Sequence, residues 1–149
     1  MALAVLVADQ ITKAAVQYSI PEYAMIRLTP FLAFTFVWNT GAAFSLLATA
    51  PAWIRLPLFV GVTVAAVWLL VSFVRRLPER ARAVRMAVGL ILGGATGNLV
   101  CRLRYGKVVD FVYLHWDELY WPAFNVADAA ITIGVAVVLV ESLRGRAEI

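Results

Sequence analysis

Four long apolar segments, each with few charges, alternate with shorter polar or aromatic stretches along the chain. They run from about Met1 to Ile20, Ala52 to Val74, Ala83 to Val100 and Phe124 to Leu143. A helix that crosses a bilayer needs about 20 mostly apolar residues. The pattern therefore predicts four transmembrane helices. A cleaved signal peptide is the alternative interpretation of the first segment, although neither a charged leader nor a small-residue cleavage site is evident.

The distribution of arginine predicts the orientation of these helices. Residues 75–85 contain five arginines, and the tail after the fourth segment adds Arg144 and Arg146. Positively charged loops stay on the cytoplasmic side of a membrane. Loop 75–82 and both termini are therefore expected in the cytoplasm. Segments 21–51 and 101–123 then lie together on the outer side.

The two outer segments have patterns of their own. Residues 31–38 are rich in aromatic and β-branched side chains and lie between Pro30 and Asn39-Thr40-Gly41, which predicts a strand. Residues 42–53 are apolar enough for a helix in the membrane interface, where tryptophan and tyrosine concentrate. The predicted fold is an all-α membrane protein, one domain of residues 1–149. It has four transmembrane helices and a small extracytoplasmic subdomain with a β-strand and an interfacial helix.

The composition supports a membrane protein. Of 149 residues, 63% are hydrophobic and 15% are charged, whereas soluble domains are about half apolar and a quarter charged. The net charge of +4 is compatible with nucleic-acid binding, but the arginines lie in short loops, so we expect no nucleic-acid partner. One cysteine excludes an internal disulfide, and one histidine argues against a zinc site. We expect neither a metal nor a cofactor.

Two aspartates, Asp110 and Asp128, lie at the outer edges of apolar segments. Ionisable groups at such places indicate function. Two carboxylates close together cannot both ionise easily and share a proton, which is the apparatus of an aspartic protease. The alternatives are structural. Asp128 also occupies the N3 position of a capping box that begins at Asn125, and Asp110 is also interpretable as a solvated loop acid.

A second polar pair lies within the first apolar segment. Asp9 and Lys13 are four residues apart and share one face of a helix. We expect them to neutralise each other, and this argues against Lys13 as the base of a serine–lysine protease with Ser45 as nucleophile. A thiol protease that uses Cys101 and His115 is disfavoured because no local signature links the two residues.

Glycines and asparagines are placed systematically near the outer side. Gly89, Gly93 and Gly97 are spaced four apart in the third segment, which predicts close helix packing. Asn39, Asn98 and Asn125 each lie at the outer end of an apolar segment. A buried amide must find hydrogen-bond partners. Capping of loops and orientation of a catalytic carboxylate are both open interpretations.

Five strings of the sequence resemble the lipoprotein signal peptidase family, also called signal peptidase II. They are Asp9–Lys13, Asn39–Ser45, Gly93–Asn98, Gly106–Phe111 and Pro122–Asp128. Each string is weak alone, but all five occur in family order and extend over nearly the whole chain. The resemblance favours the catalytic interpretation of the two aspartates.

The resemblance implies a catalytic dyad of Asp110 and Asp128 in an aspartyl endopeptidase of the bacterial inner membrane. The supporting positions that match the family are Asn39, Gly41, Asn98, Arg102, Asn125, Asp9 and Lys13. The implied substrate is a diacylglyceryl-modified prolipoprotein, which is cleaved before the lipid-bearing cysteine. The implied partners are this substrate and membrane lipids, and we expect a monomer whose active site faces the extracytoplasmic side.

One position departs from the family pattern. The family usually has an aspartate before the arginine of Gly-Asn-x-x-Asp-Arg, where this chain has Cys101 before Arg102. Arg102 is therefore expected to lack an orienting acid unless Asp110 or a lipid headgroup replaces it. A catalytically impaired homologue and a small non-enzymatic four-helix protein, such as a transporter or binding protein, are the alternatives.

Overall fold

The computed structural model describes residues 1–41, 49–116 and 119–144 of the chain. Those residues contain four helices and four strands. Two strands lie between the first and second helices, and two lie between the third and fourth helices. The helices are α1 (Ala2–Ser19), α2 (Ala52–Arg76), α3 (Arg82–Tyr105) and α4 (Val126–Leu143). The strands are β1 (Met25–Arg27), β2 (Leu32–Asn39), β3 (Val108–Trp116) and β4 (Leu119–Phe124).

Three of the four helices are long and apolar enough to cross a membrane, namely α2, α3 and α4. The count applies to the described parts of the chain. α1 is as long as α4, at 18 residues, but Asp9, Lys13 and two glutamines make it less apolar. The prediction of four transmembrane helices is thus supported for three segments. The first segment is a helix, as expected. Its composition alone does not identify it as a transmembrane helix.

Glycines on α3 and α4 bring the helices into close contact. A Cβ atom on Gly93 would lie 2.6 Å from the carbonyl oxygen of Ala2 in α1, and one on Gly94 would collide with that of Ala127 in α4. A Cβ on Gly134 of α4 would lie 2.6 Å from the carbonyl oxygen of Ala87. α3 therefore packs directly against both α1 and α4, which confirms the predicted role of the glycine spacing. α2 packs mainly on α3.

The sheet is larger than the sequence predicted. Its four strands are antiparallel in the order β1-β2-β3-β4. The predicted strand 31–38 is confirmed as β2. Segment 101–123, however, is more than a connection: α3 continues to Tyr105, and β3 and β4 follow it. The description as all-α was therefore incomplete. All four residues of Val108–Phe111 are buried, so this strand lacks the polar–apolar alternation that reveals a half-exposed strand.

The sheet is anchored to the helices through a small apolar cluster. Its buried members come from α1 and its end (Val16, Ile20), from β2 (Phe36) and from β3 (Val109, Phe111). This packing fixes β3 over the end of α1, beside the start of α4. The predicted interfacial helix of 42–53 falls mostly on residues 42–48, outside the described residues, and α2 begins at Ala52 as expected.

Candidate active site

Asp110 lies near the start of β3, in the middle of the sheet, and its side chain is buried. Residues of β2 flank it, with Val37 paired to Asp110 and Asn39 paired to Val108. Its Oδ2 atom accepts a hydrogen bond of 2.9 Å from Nδ2 of Asn39, and its Oδ1 atom accepts one of 2.6 Å from Nδ2 of Asn125. Asp110 is only 2% exposed. The interpretation of Asp110 as a solvated loop acid is therefore wrong.

Asp128 occupies the third position of α4 and has two structural roles. Its backbone N–H donates to Oδ1 of Asn125 at 3.0 Å, and its Oδ2 atom accepts from the backbone N–H of Asn125 at 3.2 Å. This reciprocal pair is the predicted capping box. The other oxygen, Oδ1, accepts a hydrogen bond of 2.8 Å from Nδ2 of Asn98 on α3. The cap therefore holds Asp128 in place while its carboxylate also joins the network of buried amides.

Three asparagine side chains present N–H groups to the two aspartates, and each has its oxygen held by another donor. Gly41 N–H donates to Oδ1 of Asn39 at 2.9 Å, Lys13 Nζ donates to Oδ1 of Asn98 at 2.8 Å, and Asp128 N–H holds Oδ1 of Asn125. An amide has a donor side and an acceptor side. Because each oxygen faces a donor, each NH₂ group points to a carboxylate.

The same amides link the two carboxylates. Nδ2 of Asn125, which contacts Asp110, also lies 3.3 Å from Oδ1 of Asn98 and 3.2 Å from the carbonyl oxygen of Val109. Asn98 in turn contacts Asp128. One path of side-chain hydrogen bonds therefore leads from Asp110 through Asn125 and Asn98 to Asp128, and the two acids influence each other electrostatically.

The pKa of Asp110 is raised from its ordinary value of 3.8 to about 7. Burial is the main cause, because a charge in a low-dielectric site is destabilised. The nearby Asp128 carboxylate adds to the increase, whereas hydrogen bonds from Asn39 and Asn125 and the charge of Lys13 oppose it. The pKa of Asp110 thus lies near neutral pH, in the range that suits a general acid or base.

Asp9 and Lys13 form the expected ion pair in the interior of the bundle. Nζ of Lys13 lies 2.8 Å from Oδ2 of Asp9, and Lys13 and Asp9 are 1% and 0% exposed. Asp9 also reaches the fourth helix, because its Oδ1 atom accepts a hydrogen bond of 3.0 Å from the backbone N–H of Ala127. The pair thus connects α1 to the helix end that carries Asp128.

Arg102 lies beside both aspartates and is held by other groups than the missing acid. Its Nη2 atom donates to the carbonyl oxygen of Gly41 at 3.2 Å, and its guanidinium group lies 4.9 Å from the ring centre of Phe59 on α2. It interacts electrostatically with Asp128 and Asp110. The direct contacts of Arg102 are therefore a backbone carbonyl and an aromatic ring, and Asp110, one of the replacements that the sequence suggested for the missing acid, acts on it electrostatically.

Cys101 contacts a different part of the protein from its neighbour Arg102. It is buried between α3 and α1, and Nε2 of Gln10 lies 3.9 Å from its sulfur atom. His115 instead stacks on Tyr113 at the other end of β3. The contacts of the two residues share no side chain, which argues against a thiol dyad. Ser45 lies outside the described residues. Among the residues that the structure does describe, no group of three or more His, Cys, Asp or Glu side chains is arranged to hold a metal ion.

Two residues that contact the site, Gln10 and Phe59, were not predicted from the sequence. Nε2 of Gln10 donates to Oδ2 of Asp9 at 3.0 Å and to the carbonyl oxygen of Gly97 at 3.1 Å. Its position next to Asp9 was the only available signal. Phe59 is one of many apolar residues in α2, and no pattern in the sequence distinguishes it from its neighbours.

Comparison with known proteins identifies the family. The sequence model of the family described as signal peptidase (SPase) II matches residues 1–144. The chain belongs to the signal peptidase II family. Membership makes it a peptidase, and its apolar helices make it a membrane protein.

Individual signal peptidase II relatives cover most of the chain. This chain is 42% identical over 140 residues to a lipoprotein signal peptidase of Shewanella amazonensis. The match covers 94% of this chain and 83% of that protein. A lipoprotein signal peptidase of Burkholderia thailandensis is 41% identical over 144 residues, covering 97% of this chain and 86% of that protein.

Solved structures agree with the assignment to signal peptidase II. A bacterial membrane enzyme determined by the in meso method at 2.3 Å resolution superposes with a TM-score of 0.88 at 28% identity, covering 98% of this chain and 87% of that one. A second, at 1.9 Å resolution, gives a TM-score of 0.83 at 29% identity, covering 95% and 89%. The arrangement of helices and sheet is therefore shared by experimentally determined enzymes.

Proposed function

We propose that the chain is an aspartic endopeptidase that removes the signal peptide from prolipoproteins whose cysteine already carries a diacylglyceryl group. Cleavage falls immediately before that cysteine. The observation that carries the proposal is the network of hydrogen bonds through Asn125 and Asn98 that links Asp110 to Asp128, together with the raised pKa of Asp110. The names of the relatives support the substrate class.

The chemistry follows from two acids that share one proton. One aspartate takes a proton from a water molecule, whose oxygen attacks the scissile carbonyl carbon, while the other donates its proton to the carbonyl oxygen. The tetrahedral intermediate then collapses: the C–N bond breaks, and the departing amine of the cysteine receives a proton from the dyad. Asp110 and Asp128 act as a unit here, because coupled acids titrate together.

The asparagines and Arg102 prepare the site for this reaction. Asn39 and Asn125 donate to the two oxygens of Asp110, and Asn98 donates to Asp128, so the carboxylates cannot rotate freely. Arg102 and Asn39 both hold Gly41. This contact fixes the chain at the end of β2, where a substrate backbone would lie beside the dyad. A preorganised site of this kind lowers the reorganisation needed in the transition state.

The placement in the membrane completes the proposal. α1 acts as the fourth span, with Asp9 and Lys13 facing the bundle and Leu3 and Ile11 exposed to lipid at 73% and 63%. Arg75 and Arg76 end α2 and Arg82 begins α3, whereas Asn98 lies in the other half of α3 and Asp128 in the first turn of α4. The positive-inside rule then places both termini in the cytoplasm and the dyad on the extracytoplasmic side of a bacterial inner membrane. The chain acts as a monomeric single domain.

A matched pair of substrates tests the function. Purified protein in detergent is incubated with a prolipoprotein peptide whose cysteine carries the diacylglyceryl group and with the same peptide without lipid, and the products are identified by mass spectrometry. We expect cleavage before the cysteine only in the lipidated peptide. Equal cleavage of both peptides would contradict the substrate class, and no cleavage of either would contradict the function.

A further inference from the structure

Lys13 makes one contact more than charge neutralisation requires. A buried ammonium group must be paired, because transfer of an unpaired charge from water is costly, and Asp9 meets that requirement at 2.8 Å. Yet Nζ of Lys13 also donates to Oδ1 of Asn98, 85 residues away in the chain, at 2.8 Å. Lys13 is 1% exposed, so water does not compete with protein groups for this contact.

We propose that Lys13 is a positioning residue, which holds the side-chain oxygen of Asn98 and thereby directs its NH₂ group to Asp128. The inference rests on the proposed function of the two aspartates. A lysine ammonium group has three N–H donors and no acceptor. Only the oxygen side of the Asn98 amide can face it. With that side fixed, Nδ2 of Asn98 lies 2.8 Å from Oδ1 of Asp128.

The same contact reaches the second carboxylate. Oδ1 of Asn98 accepts from Lys13 and also lies 3.3 Å from Nδ2 of Asn125, the group that donates to Asp110. If the amide of Asn98 were reversed, two NH₂ groups would face each other and two oxygens, those of Asn98 and Asp128, would repel. A single amide orientation thus supports both aspartates, and Lys13 is the charged group that selects it.

A variant that removes both charges separates neutralisation from positioning. Asp9→Asn/Lys13→Met is such a variant, and replacement of a buried ion pair by neutral groups of similar volume is often tolerated. The amide introduced by Asp9→Asn keeps an oxygen for the N–H of Ala127. If Lys13 only neutralises Asp9, this variant works normally. If Lys13 orients Asn98, we expect kcat to fall about 10- to 100-fold, as small misplacements at reacting groups do, with KM unchanged because Lys13 touches no substrate.

A double-mutant cycle with Asn98 identifies the path of the effect. In an Asn98→Ala background, addition of Asp9→Asn/Lys13→Met should cause no further loss of kcat, because the amide on which Lys13 acts is gone. Asp9→Asn/Lys13→Gln, which keeps an N–H donor without the charge, should recover part of the turnover. If Asp9→Asn/Lys13→Met does not fold, Asp9→Asn/Lys13→Gln replaces it in the double-mutant cycle. Gln17→Leu, one turn further along α1, is the control and should retain wild-type kcat.

Two results would overturn the proposal. One is wild-type kcat in the folded Asp9→Asn/Lys13→Met protein. The other is a fall in kcat of the same factor when Asp9→Asn/Lys13→Met is added to Asn98→Ala, which would show that the two act independently. Asp110→Asn and Asp128→Asn are assayed in parallel. Activity in either of those variants rejects the dyad itself, whereas their inactivity together with a normal charge-free variant rejects only the role of Lys13.

Discussion

Oδ1 of Asp9 in α1 accepts a hydrogen bond of 3.0 Å from the backbone N–H of Ala127 in α4. The first N–H groups of a helix have no partner within the helix, and a negative charge near them is favourable. A side chain from the first helix therefore completes the cap of the helix that carries Asp128. The proposed catalytic acid Asp128 is thus next to a backbone N–H that is held by Asp9, a residue 119 positions earlier in the chain (128 − 9).

Gly97→Ala tests this dependence without changing any charged residue. A Cβ atom at position 97 would lie 2.5 Å from Oδ2 of Asp9, so either the carboxylate or α1 must move. We expect a loss of stability of about 1–3 kcal/mol, as for other overpacked sites, and a fall in kcat of about tenfold or more. Thermal unfolding in detergent and cleavage kinetics measure the two effects.

Gly61→Ala is the matched control for that substitution. A Cβ at position 61 of α2 would meet nothing within 4 Å, and alanine is a better helix former than glycine by up to about 1 kcal/mol. Stability should be equal or higher, with unchanged kcat. If Gly97→Ala leaves stability and kcat unchanged, as Gly61→Ala should, then the close contact between α3 and Asp9 contributes to neither.

Asn125 combines a helix cap with a contact to Asp110, and two substitutions separate these roles. Asn125→Ser keeps a side-chain oxygen suited to capping but is too short to donate to Asp110. Asn125→Ala loses both. We expect kcat to fall about tenfold or more in both variants, while the free energy of unfolding falls by about 1 kcal/mol more in the alanine variant. Normal turnover in Asn125→Ser would show that Asp110 does not need this donor.

The pH dependence of activity should follow the pKa of Asp110. Because that pKa is raised to about 7, the proposed dyad of Asp110 and Asp128 should lose its shared proton as the pH rises through neutrality. The rate at low substrate concentration should therefore decline above about pH 7, with a limiting slope of about tenfold per pH unit. Cleavage measured from about pH 5 to 9 gives this profile. A rate that stays constant over the alkaline half of that range would contradict the protonated state of the dyad.

The same shift predicts a change in stability, with a definite sign. The pKa of Asp110 is near 3.8 in the unfolded chain and about 7 in the folded protein, so the folded state binds more protons between these values. The stabilising contribution is complete below the unfolded pKa and is lost as the pH rises through the folded one. From about pH 5 to pH 8 the wild type should lose about 2–3 kcal/mol relative to Asp110→Asn. If the melting temperatures of wild type and Asp110→Asn change in parallel with pH, the raised pKa of Asp110 is refuted.

Cys101→Asp tests the position at which the chain departs from its family. The thiol faces Gln10, and Arg102 is held by Gly41 and Phe59. An aspartate at 101 would therefore meet an amide donor rather than restore a lost partner of Arg102. We expect the turnover of the folded protein to stay within about twofold of wild type, because the thiol contacts Gln10 and neither aspartate, whereas the stability should fall because a carboxylate is buried there without a cationic partner. A large increase would show that the missing acid limits the enzyme.

Those features that depend on local pattern were predictable from the sequence. The four helices, the capping box at Asn125, the pair of Asp9 and Lys13 and the close packing at the glycines all follow from spacing within one helix or from one helix face. The amide partners of Asp110 and Asp128 were anticipated as one of two interpretations of the asparagines.

What the sequence did not reveal depends on contacts between distant segments. β3 is buried along Val108–Phe111, so it has no alternation to mark it as a strand. The partners of Arg102 come from the end of β2 and from α2, and the partner of Cys101 comes from α1. Nothing in the local sequence around these residues specifies which distant side chain they meet.

The most direct test of the proposed dyad is cleavage of the diacylglyceryl peptide by Asp110→Asn and by Asp128→Asn, each purified in folded form. Both substitutions keep the side-chain shape and remove one acid of the shared pair. We predict that each variant loses cleavage by at least about a thousandfold, because neither acid alone can both activate water and protonate the leaving amine. Cleavage near the wild-type rate in either variant would contradict the dyad.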